Sequence, residues 1–225
     1  MSQTRLAHKV KALHTSYSVQ PTFKQELILM KEGFQSIAGV DEAGRGPLAG
    51  PLVAAAVILQ RSIRKSSLIS LIRDSKTLSP SQRERARLII QRHSYSIGIG
   101  IAFTEFIDCY GITSATHSAM IQAVATLSRK PDYILIDAIK LTWDSIPSIS
   151  IIKGDSKCLS IASASIIAKT TRDRIMKNID KIYPKYGFTE HKGYGTRKHL
   201  NRLREFGPTP FHRKSFGPIK DLARL

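Results

Sequence analysis

Cysteine and tryptophan are scarce in this chain, with two and one among 225 residues. Cys109 and Cys158 are too few and too far apart for a disulfide framework or a zinc-ligand pair. A reducing compartment, the cytoplasm, is the expected setting. The sequence also lacks any apolar run long enough to span a bilayer. Its longest, Leu48–Leu59, is interrupted by Gly50 and Pro51, so no membrane role is expected. The first residues lack the basic, apolar and cleavage regions of a secretory signal. There is no Gly-x-x-x-x-Gly-Lys-Ser/Thr phosphate loop and no dinucleotide fingerprint. The nucleophile elbow Gly-x-Ser-x-Gly is missing too, although counting alone does not exclude a Ser-His-Asp triad. Acidic residues are outnumbered, 17 to 35, leaving a net charge of +18.

The positive excess gathers toward the C-terminus. Residues 169–225 carry 15 Lys+Arg against 5 Asp+Glu. That balance suits a polyanion, nucleic acid first and an anionic membrane second. A merely soluble basic surface is the alternative.

The chain is long enough for one sizeable core with appendages. Residues 1–33 are weakly patterned, with at most one helix around Ser2–Ser16. Ser36–Asp41 and Leu52–Leu59 read as strands. Ser79-Pro80-Ser81-Gln82 has the form of a capping box opening a helix to about Arg92. Tyr95–Phe103 alternates at strand period, and Ile112–Leu127 is apolar at helical spacing. Tyr133–Asp137 and Ser148–Ile152 are short strands, and Ser160–Lys177 is a long helix. A loop over Tyr183–Gly195, a basic helix over Arg197–Phe206 and a Pro-rich tail complete the chain. This order predicts an α/β domain with a mixed sheet.

Asp41, Glu42, Asp137 and Asp155 each stand where a strand-like run stops, the place where α/β sheets collect ligands. If their strands are neighbours, the four acids converge. Their mutual repulsion would then raise their pKa values until a divalent cation relieved it. Oxygen-only donors favour Mg²⁺ or Mn²⁺ over zinc. Adjacent side chains on a strand point to opposite faces. Asp41 and Glu42 therefore share one site only if the strand ends between them, and Gly44 and Gly46 suggest such a break. Unrelated acids capping turns are the competing reading.

The segment Asp41-Glu42-Ala43-Gly44-Arg45-Gly46-Pro47, with Ala49-Gly50-Pro51, resembles the signature of bacterial ribonuclease HII, the type 2 ribonuclease H family. The likeness continues through Asp74-Ser75-Lys76-Thr77-Leu78-Ser79, Ile136-Asp137 and Lys153-Gly154-Asp155. It extends over Ser160-Ile161-Ala162, Ser165–Lys169, Thr171-Arg172-Asp173 and Tyr183-Pro184. His191–Thr196, His199, Gly207-Pro208, His212-Arg213 and Ser215-Phe216 also fit. Order and spacing agree over roughly residues 36–218. The chain departs from the pattern at Ala138, where many members have glycine. Ser156-Lys157-Cys158 is an unusual polar insert. Residues 1–35 are too short for the N-terminal domain of the related ribonuclease HIII, and Ala43 stands where HIII-like chains tend to carry serine.

The resemblance implies three segments: an N-terminal extension over 1–35, a ribonuclease H-like catalytic core over 36–180, and a basic helical extension over 181–225 packed on it. It implies hydrolysis of RNA paired with DNA and incision 5′ of single ribonucleotides in duplex DNA, leaving a 3′-hydroxyl and a 5′-phosphate. Asp41, Glu42, Asp137 and Asp155 would be the metal-binding and catalytic set. Gly44, Arg45 and Gly46 would read the 2′-hydroxyl and its phosphate largely through backbone. Tyr194 would stack on the deoxyribose at the junction. Ser75, Lys76, Lys169, Arg172 and His191 would contact phosphates, and the basic segment Lys192–Arg213 would hold the duplex. Two-ion catalysis by a monomer is the expectation. Two rivals carry similar features: a recombinase-type nuclease cutting all-DNA duplex, and a basic nucleic-acid-binding protein with inert acids.

Overall fold

The computed structural model describes residues 20–141 and 146–222. The helix expected around Ser2–Ser16 lies outside them. The fold is built on a five-stranded mixed sheet in the order β3-β2-β1-β4-β5. Its strands are β1 (Ile37–Ala43), β2 (Leu52–Leu59), β3 (Ser94–Ala102), β4 (Tyr133–Asp137) and β5 (Ser148–Ile151). β1, β2 and β3 form an antiparallel meander, while β4 pairs parallel to β1 and β5 parallel to β4.

β2 shows why a continuous apolar run forms a strand here. Val53, Ala55, Val57 and Leu59 pack in one core cluster with Ile166 and Ile167 of α4 (Leu159–Ile182) and Ile90 of α2 (Pro80–Arg92). Leu52, Ala54, Ala56 and Ile58 pack in another, with Ala119 and Met120 of α3 (Thr104–Ala125). Both faces are covered by helices, so nothing in the strand needs to be polar. At Gly39 of β1 an added methyl would collide with the α4 backbone at Ser160. Glycine there lets strand and helix approach closely.

The capping box on α2 forms as predicted, with Ser79 accepting from Gln82 N–H and the Gln82 side chain accepting from Ser79 N–H. Other boundaries shift. The alternation through Phe103 overruns the strand, because Phe103 is the exposed residue that precedes α3. That helix starts earlier than Ile112 and kinks at Gly111 (φ 79°). The expected Tyr183–Gly195 loop holds a short 3-10 turn, Pro184–Tyr186, and α5 (Phe188–His191). α6 (Arg197–Phe206) and α7 (Gly217–Leu222) follow. A helix unforeseen in the sequence, α1 (Lys24–Lys31), packs Leu27 on the core beside its N-cap residue Phe23. From it Glu26 Oε1 accepts from Ser160 N–H (2.9 Å) and Oγ (2.6 Å). It thereby supplies the acceptor that Cys158, the N-cap of α4, does not.

Candidate active site

Register brings the acids together. β1 pairs with β4 up to Val40↔Ile136, and Asp41 and Asp137 are the next residues along. Asp137 in turn pairs with Ile151 at the end of β5. Three residues beyond that pair a single turn, Gly154–Ser156, presents Asp155. All three acids thus leave the carboxyl ends of parallel neighbours, where such sheets place their sites. One carboxylate oxygen from each lies within 4.8 Å of the others. They sit on the α4 face, since Leu135 of β4 packs with Ile161 and a Ser165 hydroxyl bonds Asp41.

Glu42 is not part of this triad. The strand does not end between Asp41 and Glu42; it continues to Ala43, paired with Val53. The Glu42 carboxylate lies 3.7 Å from Arg45 Nη1 and still meets the Asp41 side chain. It remains beside the group. Burial and the charge of Asp137 raise its carboxyl, with Arg45 pulling it back down.

The electrostatics are those of crowded acids. Burial first, then the charges of Glu42 and Asp137, holds Asp41 well above the usual carboxylate range. Burial likewise raises Asp137, even though its Oδ1 accepts from Gly154 N–H at 2.6 Å. Lys76, an exposed side chain, brings Nζ to 3.7 Å from Asp155. Its ammonium is held above its ordinary value: burial works against this, and the carboxylates of Asp155, Asp74, Asp41 and Asp137 outweigh it.

Other expected phosphate contacts are placed differently. Ser75 is buried, with its Oγ 3.0 Å from Ser165 Oγ, so it backs Asp41 at one remove. Lys169 is ion-paired with Asp173 at 2.7 Å. Arg172 is buried and gives its donors to the carbonyls of Ala49, Pro51 and Lys192. His191 is buried and bonded to Tyr186 O and Gly193 N–H. Arg213, counted with the duplex-holding tail, is also fully buried. Charge on a sequence does not distinguish a surface arginine from one spent on internal carbonyls. The concave groove between α2 and α4, about 570 Å³, is lined by Arg83, Arg87, Arg174, Lys177 and Lys192 rather than by the acids. The convergent carboxylates lie instead toward the carboxyl ends of the interior strands β1 and β4 and in the turn after β5.

Beyond the acids, the chain turns at Gly44, whose φ of 97° only glycine adopts without strain. A methyl there would also strike the Arg172 side chain. Tyr194 is 46% exposed. Its Cε1 would lie 3.9 Å from a methyl built on Gly46, so loop and ring share one surface. Ser165 enters the sequence reading only as a motif residue, and His199, His212 and Arg213 only as motif residues within the segment Lys192–Arg213. Only Ser165 carried any local signal, a hydroxyl in an otherwise apolar helix face.

The donor set suits a hard divalent cation. Three carboxylates converge, two of them with raised pKa values, and no histidine or cysteine joins them among the described residues. A cation would remove the repulsion that burial concentrates.

Comparison with known proteins follows the same line. The family model for ribonuclease HII matches residues 38–218. The ribonuclease HII of Chloroflexus aggregans is 46% identical over 208 residues, covering 92% of this chain and 98% of its own. The solved ribonuclease H2 of Pyrococcus horikoshii superposes with a TM-score of 0.72 at 25% identity, over 84% of this chain and 98% of that one. Bst ribonuclease HIII, solved in complex with Mn²⁺, shares the fold with a TM-score of 0.60 at 18% identity, over 84% and 69% of the two chains. The chain belongs to the ribonuclease HII family, whose members are endonucleases acting on RNA/DNA hybrids.

Proposed function

We propose that this ribonuclease HII family member cuts 5′ of single ribonucleotides embedded in duplex DNA, as well as hybrid RNA, leaving a 3′-hydroxyl and a 5′-phosphate. The observation that carries the reading is the convergence of Asp41, Asp137 and Asp155, the first of them three residues upstream of the Gly44–Gly46 loop, with Tyr194 beside that loop. The 2′-hydroxyl is the local mark of RNA. A glycine loop lets backbone groups reach it, and the tyrosine face would crowd a second hydroxyl on the neighbouring sugar.

Asp41 and Asp137 would hold Mg²⁺ or Mn²⁺ jointly, with Asp155 and Glu42 completing the coordination on either side. When bound, two such ions supply an activated water for in-line attack and stabilise the departing 3′-oxygen. The chain's own residues prepare that site. Gly154 N–H fixes the Asp137 carboxylate, the Ser75–Ser165 hydroxyl pair orients Asp41, and Lys76 stands over Asp155 within reach of an incoming phosphate. Arg197 and Arg204 of α6 and Lys214 beyond it are exposed and would follow the duplex backbone, so affinity should fall steeply with salt.

The test is an end-labelled duplex with one embedded ribonucleotide, run beside all-DNA duplex and RNA/DNA hybrid, with Mg²⁺, with Mn²⁺ and with chelator. Metal-dependent cleavage 5′ of the ribonucleotide, lost in Asp137→Asn, is expected. Cleavage of the all-DNA duplex would move the protein to the recombinase-type reading. Binding without metal-dependent cleavage would make the acids inert.

A further inference from the structure

Three histidines from the C-terminal part of the chain take no part in the acid cluster, yet they are buried and interlinked. His191 stacks on His199, with ring centroids 4.3 Å apart. His199 Nε2 meets His212 Nε2 at 3.0 Å. Their surroundings fix the direction of every bond. Thr209 N–H donates to His212 Nδ1 (2.9 Å), so a neutral His212 carries its proton on Nε2. That proton goes to His199 Nε2, which must therefore be the acceptor. His199 then carries its own proton on Nδ1 and donates it to the Tyr194 carbonyl at 2.9 Å. Gly193 N–H donates to His191 Nδ1, so His191 Nε2–H donates to Tyr186 O. Burial pushes both His199 and His212 down to about 4, which keeps the chain of bonds neutral near pH 7.

Arg213, the next residue, reaches the other way. Its guanidinium donates to the carbonyls of Gly44 (2.6 Å), Arg45 (2.8 Å) and Gly50 (2.9 and 3.1 Å). It has no carboxylate partner within ion-pair distance among the described residues. In a trans peptide the C=O and the following N–H point in opposite directions. Drawing in the carbonyls of Gly44 and Arg45 therefore turns the N–H groups of Arg45 and Gly46 away from Arg213. Backbone bonds complete the arrangement: Leu48 N–H to Gly193 O, Gly50 N–H to Phe211 O and Arg213 N–H to Leu48 O, each 2.8 Å.

We propose that His212, acting through His199, and Arg213 form a clasp that fixes Tyr194 and the Gly44–Gly46 loop relative to each other. They are positioning residues for discrimination between ribose and deoxyribose at the junction. Two consecutive side chains, one to each element, set the spacing on which that discrimination depends. The inference rests on the reading that loop and tyrosine face the ribonucleotide. The bond directions do not.

The first experiment is imidazole ¹⁵N–¹H correlation NMR on the full chain near pH 7. His199 is expected in the Nδ1–H form, with His191 and His212 in the Nε2–H form. An Nε2–H His199 would overturn the clasp whatever the substrate. The second is kinetics on the single-ribonucleotide duplex. His199→Leu and Arg213→Lys should each raise KM about tenfold, the order of one lost hydrogen bond, with kcat and the Kd for all-DNA duplex unchanged within about twofold. His199→Asn, which keeps a donor near the Nδ1 position, should restore KM. Thermal melting confirms that each variant is folded. Unchanged KM in both His199→Leu and Arg213→Lys would refute the inference. If the wild-type protein itself ignores the ribonucleotide, the substrate reading falls, and the tautomer of His199 still decides whether the relay exists.

Discussion

Replacing Asp41 by asparagine should abolish cleavage and at the same time stabilise the metal-free protein. Asp41 is 5% exposed, and its carboxylate lies within 4.8 Å of those of Asp137 and Asp155. At an effective dielectric of about 20, two full charges at that separation repel by roughly 3.5 kcal/mol. Protonation lets the cluster escape part of that cost, and each unit by which the carboxyl is raised is worth about 1.4 kcal/mol. A net gain on the order of 1–3 kcal/mol for Asp41→Asn is therefore expected near neutral pH. Asparagine keeps the shape, and its carbonyl still accepts from Glu42 N–H, a 2.7 Å bond in the wild type. The sign follows from the raised carboxyl. Stability is full below the unfolded pKa and is lost as pH rises through the folded one, so the advantage of the asparagine variant should grow as pH rises above about 4. Saturating Mg²⁺ should reverse the order. An ion at 100 times its Kd stabilises the native wild type by about 2.7 kcal/mol, and the variant has lost a ligand. Urea denaturation in chelator and in Mg²⁺ measures both effects. An Asp41→Asn protein less stable than wild type in chelator would refute the argument from repulsion.

Glu26→Ala should cost about 2 kcal/mol, because it strips the acceptor from the N-terminus of a central helix and orphans buried Ser160 donors. Glu26→Gln keeps Oε1, and should gain on wild type as pH rises through the buried, raised carboxyl, which urea midpoints at two pH values will show. Gly44→Ala should lower the melting temperature and weaken binding of the ribonucleotide duplex, since a left-handed alanine against Arg172 costs about 1–3 kcal/mol. Fluorescence anisotropy with that duplex checks it, and wild-type affinity would show the turn to be dispensable. Ala138 already pays such strain, with φ 50°. Ala138→Gly should raise the melting temperature by about 1–2 °C, the loss of strain exceeding the added unfolded-state entropy; a drop in calorimetry would contradict this.

What was legible in the sequence was legible for local reasons. Leu52–Leu59 and Tyr133–Asp137 have the bounds read from their apolar runs, and α2 begins at its capping box. Those signals depend on a few neighbouring residues. The boundaries that moved depended on remote partners. α1 patterns poorly by itself but is anchored by Glu26, which meets Ser160 across 134 positions. Glu42 follows Asp41 directly in sequence, and only the fold shows that β1 runs on to Ala43 instead of ending between them.

The sequence by itself determined that four acids end strand-like runs, that a glycine-arginine-glycine turn follows the first pair, and that the whole carries an excess of positive charge. Only tertiary structure decided which of these meet. The Val40↔Ile136 register makes Asp41 and Asp137 neighbours, and a shift of one residue would turn either carboxylate to the other face. Burial decided that Arg172 and Arg213 serve internal carbonyls rather than a duplex. Charge belongs to the residue, whereas its partners belong to the fold.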